Sequence, residues 1–134
     1  MHFRFEDLKI WQKAIEVSNE LYDVADQLEA LKQYRFAEQF RSATLSISNN
    51  IAEGSGSNSN PDFKKFLNYA HRSTFEVVNM LIVFEIRQYI STPILEKKKE
   101  ELDHLSRMIM SFMRSLEKTL KSGEHGAKRF VCLL

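Results

Sequence analysis

The sequence predicts an all-α protein, an antiparallel up-down-up-down bundle of four helices. Its 134 residues include only 4 Gly and 2 Pro, so few positions favour a turn and the helices should be long. Apolar residues recur at helical spacing along the chain, and no stretch alternates as a strand would. Two cap-plus-proline signals, Asn60-Pro61 and Thr92-Pro93, mark the starts of the third and fourth helices. Short connections between four such helices are typical of a bundle.

The chain is expected to form one domain over residues 1–122, followed by a short tail at 123–134. The predicted helices lie at about residues 7–29, 34–54, 60–90 and 92–121. The first break carries no Gly or Pro. It is placed near residues 30–33 because one helix from residue 7 to residue 54 would extend about 70 Å.

The stretch from Phe36 to Gly54 has the composition of a helix that is buried on more than one side. Its apolar stripe consists of Phe36, Phe40, Ala43, Ile47 and Ile51. Small residues beside that stripe (Ala37, Thr44 and Ser48) leave room for a neighbouring helix. We expect Gly54 to adopt the left-handed conformation that commonly ends a helix.

The other three helices have inner stripes of their own. In the first helix the stripe is Leu8, Trp11, Ile15, Ser18, Leu21, Ala25 and Leu28. In the third and fourth it is Phe63, Phe66, Ala70, Ser73, Val77, Leu81 and Phe84, then Leu95, Leu102, Leu105, Ile109, Phe112, Leu116 and Leu120. Ile10, Val17, Phe75 and Val78 lie off these stripes, which predicts a second apolar face and self-association.

Composition indicates a globular protein of the cytoplasm. The apolar and charged fractions, 43% and 28%, are ordinary. The single cysteine, Cys132, excludes an internal disulfide and favours a reducing compartment. No apolar run reaches the roughly 20 residues of a membrane span, and the N-terminal residues lack an apolar signal core.

Charge is distributed unevenly although the net value is only +1. Residues 1–60 contain 6 Lys/Arg and 9 Asp/Glu, whereas residues 61–134 contain 13 Lys/Arg and 9 Asp/Glu. On the fourth helix Arg107, Arg114, Lys118 and Lys121 share one face, and Lys64 and Arg72 add positive charge to the third. These six residues are the candidate nucleic-acid contacts. The alternatives are a solvated face or a partner for the acidic stripe of the first helix, Glu16, Glu20, Asp23 and Asp26.

The sequence offers no support for catalysis, a metal or a cofactor. Glu101-x-x-His104 has the spacing of half a di-iron site, but a second such pair is absent from the sequence. Ser46, Ser48, Ser73 and Cys132 lack the partners of a nucleophile. The GSGS run at 54–57 lacks the Gly-Lys-Ser/Thr ending of a phosphate-binding loop. We therefore expect a protein that is not an enzyme.

Three blocks of sequence resemble the four-helix bundle family of proteins encoded in intervening sequences of bacterial 23S rRNA genes. The blocks are Asp7-Leu8-Lys9-Ile10-Trp11-Gln12-Lys13-Ala14, then Gln39-x-Arg41-x-Ala43-x-x-Ser46-Ile47-x-x-Asn50-Ile51-Ala52-Glu53-Gly54, and Phe66-Leu67-x-x-Ala70 with Ser73 and Glu76. The family is similar in turn to the accessory variability proteins of diversity-generating retroelements. The resemblance covers roughly residues 5–120, and Trp11, Asn50, Glu53 and Gly54 are its structural motif residues.

The resemblance implies a non-enzymatic homo-oligomer, typically a pentameric ring, with RNA or DNA as an expected partner. Repetition of the basic face around a ring would strengthen binding to a polyanion, because phosphate contacts add. The alternative function is a protein-binding adaptor or scaffold without nucleic-acid activity. Asn50 and Glu53 are polar residues near a buried helix end, and we expect them to tie the following connector to the bundle.

Overall fold

The computed structural model describes the backbone of residues 1–122 and the side chains of residues 1–118. It contains four α-helices: α1 (Lys9–Ala30), α2 (Tyr34–Ser55), α3 (Asn60–Ile86) and α4 (Thr92–Ser122). A short 3₁₀ turn, Arg4–Asp7, precedes α1, and the described part of the chain contains no strand. The predicted all-α fold is therefore confirmed. The predicted tail, residues 123–134, lies outside the described residues.

Consecutive helices run antiparallel and pack in a ring of neighbours. Contacts join α1 to α2, α2 to α3, α3 to α4 and α4 back to α1, and the α1–α4 pair is the least closely packed of the four. Lys64, near the start of α3, pairs with Glu117 near the end of α4. Arg41, near the start of α2, reaches Asp26 near the end of α1. This is the up-down-up-down arrangement expected when short turns join four helices.

The core is a continuous apolar column to which every helix contributes. In α1 its members differ from the predicted stripe, because Ile10, Val17 and Val24 are buried whereas Trp11 and Ile15 are only half-buried. The prediction that Ile10 and Val17 lie off the core was therefore wrong. Trp11 packs at the edge of the core, where Phe5 of the 3₁₀ turn makes an edge-to-face ring contact with it at 5.1 Å between centroids.

Gly54 has a different role from the one predicted. It lies inside α2 and is buried, and its backbone is not left-handed. A Cβ atom at this position would lie 2.8 Å from Phe63 Cδ1 and 2.9 Å from Phe66 Cβ, both on α3. These distances are too short for any real side chain, so Gly54 is required by the close approach of α2 and α3.

Left-handed residues do occur, at two helix ends that lack glycine. Lys32 after α1 has φ 62° and Gln88 after α3 has φ 64°. In each turn the next residue donates its N–H to the carbonyl five residues back, Gln33 to Leu28 and Tyr89 to Phe84, both at 2.8 Å. Both turns are thus Schellman motifs. The second one ends α3 at Ile86, four residues before the predicted end at residue 90.

The start of α3 also differs in detail from the prediction. Ser59, rather than Asn60, is the N-cap, and its hydroxyl accepts a hydrogen bond of 3.3 Å from the backbone N–H of Asp62. Pro61 lies in the first turn, where its missing N–H costs nothing. The helix start was therefore placed within one residue.

An ion pair between a buried lysine and a partly exposed glutamate connects α1 and α4. The Lys98 side chain is only 8% exposed and donates a hydrogen bond to Glu20, with Glu101 Oε2 at 3.6 Å. Burial and then a hydrogen bond with Glu20 raise the pKa of the Glu101 carboxyl. The hydrogen bond from Lys98 is the main reason that the pKa of Glu20 is lowered. Two carboxyl groups therefore share one buried ammonium.

The close approach of α2 and α3 predicts a large effect of Gly54→Ala. The added methyl group would displace the Phe63 or Phe66 side chain, which should lower the free energy of unfolding by about 1–3 kcal/mol. Urea denaturation followed by circular dichroism measures this change. Gly56→Ala is the matched control, because a Cβ there meets only the Glu53 carbonyl oxygen at 3.4 Å. Equal effects of the two substitutions would contradict this role of Gly54.

The two left-handed turns predict that glycine will stabilise the protein. Lys32→Gly and Gln88→Gly should each raise the free energy of unfolding by about 0.5–1 kcal/mol, since glycine adopts positive φ without the steric cost of a Cβ. The corresponding alanine variants keep the Cβ and should not show the gain. A melting temperature that falls in both glycine variants would argue against strain in these turns.

The shared carboxyl pair predicts a pH-dependent effect of Glu101→Gln. Since the folded-state pKa of Glu101 lies above its unfolded value, its contribution to stability is present at low pH and lost as pH rises through the folded pKa. The glutamine side chain does not titrate in this pH range, so the variant does not lose this contribution as pH rises. The variant should therefore gain stability relative to the native protein between about pH 4 and about pH 7. Urea denaturation at both pH values tests this, with Glu100→Gln as an exposed control, and a difference that does not change with pH would refute it.

Candidate nucleic-acid interface

The outward face of α4 brings three of the predicted basic residues together. Arg107, Arg114 and Lys118 are all exposed and lie at i, i+7 and i+11, which aligns them along one side of the helix. We call these three residues the α4 basic stripe. The fourth predicted member, Lys121, lies outside the described side chains.

The three residues of the α4 basic stripe differ in their pairing. Arg107 Nε lies 3.1 Å from Asp103 Oδ2 one turn earlier, in an exposed ion pair. Arg114 and Lys118 form no ion pair with any side chain that the structure describes. An exposed pair such as Arg107–Asp103 contributes little stability and can exchange partners readily. Among the side chains that the structure describes, the stripe therefore offers two cations without an ion pair and one weakly paired cation to an anionic ligand.

The predicted basic residues of α3, Lys64 and Arg72, differ in their surroundings. Lys64 is half-buried and pairs with Glu117 of α4, so most of its charge is neutralised within the chain. Arg72 is exposed and lies about two helical turns along α3 from Lys64. Lys64 is thus a structural contact between helices, while Arg72 is a separate surface cation.

Most of the acidic stripe of α1 is paired within the molecule. Glu20 binds Lys98 of α4, and Glu16 Oε1 lies 3.5 Å from Lys13 Nζ on the same helix. Asp26 and Glu29 both accept hydrogen bonds of 2.7 Å from Arg41 of α2. Glu20 and Asp26 are therefore paired with Lys98 and Arg41 of the same chain, and neither of these cations belongs to the α4 basic stripe.

Arg41 is the cation that links two acidic residues of α1 to α2. Its two charge-assisted hydrogen bonds, to Glu29 and then Asp26, raise the pKa of the guanidinium above its ordinary value. Arg41 belongs to the second of the three sequence blocks described above, and its position there is explained by this fork between two helices.

The residues considered for metal binding or catalysis are dispersed. Glu101 faces Glu20 and Lys98, whereas His104, one turn further along α4, is exposed. Nowhere in residues 1–118 do three His, Cys, Asp or Glu side chains converge as metal ligands would. His71 Nδ1 lies 3.0 Å from Ser106 Oγ, and this contact joins α3 to α4. Cys132 lies outside the described residues.

The motif residues have local structural contacts. Asn50 Nδ2 donates a hydrogen bond of 2.7 Å to the Ser46 carbonyl of its own helix, not to the connector as we expected. Glu53 is exposed, and its backbone carbonyl accepts the Gly56 N–H at 3.1 Å, which closes the end of α2. Ser46 Oγ in turn donates to Ser73 Oγ at 2.7 Å across the α2–α3 contact. This serine pair was not predicted, although both residues lie in the sequence blocks.

Several large apolar side chains are exposed. Phe75 on α3 is 64% exposed, beside a groove of about 320 Å³ between α3 and α4 that Val78 and Ser106 also line. Ile86, Tyr34 and Leu45 are also more than a third exposed. The second apolar face predicted for α3 is therefore present at Phe75. None of the helices, over the residues described, is both long and apolar enough to cross a membrane.

Comparisons with known proteins identify a family for the sequence and a solved structure of similar fold. The family model described as 23S rRNA-intervening sequence protein matches residues 6–111. A crystal structure of a protein of unknown function from the S23 ribosomal protein family of Bacteroides thetaiotaomicron is similar in fold, with a TM-score of 0.74 and 21% sequence identity. The similarity covers 78% of this chain and 97% of that one. No protein with a curated functional description matches the sequence. Since the family model spans most of the bundle, the chain belongs to the 23S rRNA-intervening sequence protein family.

Proposed function

We infer that this protein is a non-enzymatic homo-oligomer that binds the phosphate backbone of a nucleic acid through the α4 basic stripe. The observation that carries the proposal is the pairing pattern of the surface charges. The acidic residues Glu20, Asp26 and Glu29 are held by cations of the same chain, whereas Arg114 and Lys118 are left without a described partner. A phosphate strand would supply the missing anions.

The stripe has a length that suits a strand. Arg107 and Lys118 are 11 residues apart on one helix, which corresponds to about 16 Å along its axis. Several phosphates of a strand fit along that distance. The family is named for an intervening sequence of 23S rRNA, which makes RNA the first nucleic acid to test. We place this activity in the cytoplasm, because the single cysteine favours a reducing compartment.

Assembly is part of the proposal because one stripe of three cations binds a polyanion weakly. A ring of subunits, five by resemblance to the family, would repeat the stripe and add the phosphate contacts together. The exposed Phe75 and Leu45, on the outer faces of α3 and α2, supply apolar surface that a neighbouring subunit could cover. Light scattering coupled to gel filtration should give a mass near five subunits, and a monomer would contradict the ring.

Substitution of Arg114 and Lys118 should weaken RNA binding in a salt-dependent way. Arg114→Gln combined with Lys118→Gln should reduce affinity for a short single-stranded RNA about tenfold or more at 50 mM salt, because each subunit then neutralises two fewer phosphates. The slope of log K against log salt should become shallower by about 1 for each phosphate that is no longer neutralised. Fluorescence anisotropy with a labelled RNA measures both quantities.

Arg35→Gln combined with Lys32→Gln is the matched control for that experiment. Both residues are exposed cations, but they lie at the opposite end of the bundle from Lys118, so the control removes the same charge from another surface. Equal losses of affinity in the two double variants would mean that only net charge matters. RNA binding that is absent at low salt in the native protein would contradict the proposed function itself.

A protein-binding adaptor is the second candidate, and the exposed Phe75 favours it. This side chain lies beside an apolar groove, which is a common arrangement at protein interfaces. Phe75→Ser distinguishes the candidates. In an adaptor it abolishes partner binding, whereas in the proposed ring it changes the subunit number first. A protein with native mass and no affinity for RNA would favour the adaptor.

A further inference from the structure

A second groove lies where the first turn of α1 crosses the middle of α4. Its volume is about 330 Å³, near the lower end of the range for small-molecule sites. Its floor is apolar and consists of Ile10, Met108 and Phe112. Ile10 and Phe112 belong to the core, so Met108, which is half-buried, contributes most of the accessible apolar surface.

The rim of this groove is basic. Lys9 from α1 and His104, Arg107 and Ser111 from α4 complete the lining, and none of the lining residues is acidic. Lys9 and His104 form no ion pair with the side chains that the structure describes, and Arg107 has only its exposed pair with Asp103. Two cations, an imidazole and a hydroxyl thus surround one small depression, a combination that suits a phosphate group.

Helix geometry explains why these groups converge. His104, Arg107, Met108 and Ser111 lie at i, i+3, i+4 and i+7, so they share the side of α4 that faces the start of α1. The α1–α4 contact is also the least closely packed in the bundle, which leaves room between the two helices. The ion pairs of Lys98 close this contact at the other end of the groove, about two helical turns earlier on α4.

The start of α1 adds positive potential to the same place. Its N-cap is Leu8, whose apolar side chain cannot accept the free N–H groups of the first turn. Lys9 and Ile10, which belong to that first turn, both line the groove. The positive end of the α1 dipole therefore favours an anion here, in addition to the charged side chains.

We propose that the α1–α4 groove binds a single nucleotide, with its phosphate at Lys9, His104 and Arg107 and its nucleoside against Met108. The groove shares Arg107 with the α4 basic stripe, so in the assembled protein it would hold one nucleotide of the strand that the stripe binds. In this form the inference rests on the proposed function. The same chemistry would accept a free mononucleotide, and the two sources are separated by the experiment below.

Methyl NMR of the full chain labelled at methionine tests the groove directly and tolerates a large oligomer. Adenosine monophosphate should shift the Met108 methyl signal, while Met80 on α3 and Met110, on the side of α4 away from α1, stay unchanged. Inorganic phosphate and adenosine should each bind at least tenfold more weakly than the nucleotide. Met108→Leu assigns the signal.

Lys9→Gln should weaken binding of adenosine monophosphate at least tenfold, whereas Lys13→Gln, one turn further along α1 and outside the groove, should leave it unchanged. Both lysines are on α1, and Lys13 is paired with Glu16. Because loss of that pair could change stability, thermal unfolding of each variant is measured to verify that the fold is intact. A Met108 signal that does not respond to the nucleotide would overturn the proposal, as would equal affinities for the nucleotide and for phosphate.

The short single-stranded RNA separates this inference from the proposed function. RNA that shifts Met108 in the native protein but not in Lys9→Gln would identify the strand as the occupant. If RNA binds but the nucleotide does not, the proposed nucleotide site in the groove is overturned and the proposed function remains. Nucleotide binding without any RNA binding would refute the proposed function and identify a free nucleotide as the ligand.

Discussion

The rest of the bundle depends on the close approach of α2 and α3. Gly54 leaves no space for a Cβ against Phe63 and Phe66, and Ser46 binds Ser73 across the same contact. Since this pair is fixed at short range, the other helices arrange around it. The contact between α1 and α4 completes the ring of helices with the loosest packing and with the ion pair between buried Lys98 and Glu20. The basic surface and the α1–α4 groove lie on that looser side of the molecule.

Much of the fold follows from the sequence because helical periodicity and capping are local properties. The α2 core residues and the Pro61 start of α3 needed no knowledge of the tertiary structure. The errors have a common origin in contacts between distant residues. Gly54 has the sequence signature of a helix end, but it lies inside α2, where the absence of a side chain allows α3 to pack closely. In α1, packing against α2 and α4 decides that Ile10, Val17 and Val24 face the core, and the local sequence pattern does not indicate this.

The candidate site was only partly predictable for the same reason. Spacing along a single helix was enough to place Arg107, Arg114 and Lys118 on one face. Whether a charge is free depends on its neighbours in space, so the pairing of Lys64 with Glu117 could not be read from the sequence. The sequence does not link Lys9 to His104, because the two residues are 95 positions apart and only the packing of α1 on α4 brings both to one groove.

The two ends of the bundle differ in how tightly the helices are held together. Lys32 and Gln88 lie in the turns at one end, where their left-handed backbone and the exposed Leu31 and Ile86 leave strain and apolar surface unrelieved. The other end is locked by the glycine contact between α2 and α3 and by the Lys64–Glu117 pair. Local unfolding should therefore begin at the end that contains Lys32 and Gln88, and amide hydrogen exchange should be fastest in the last turns of α1 and α3.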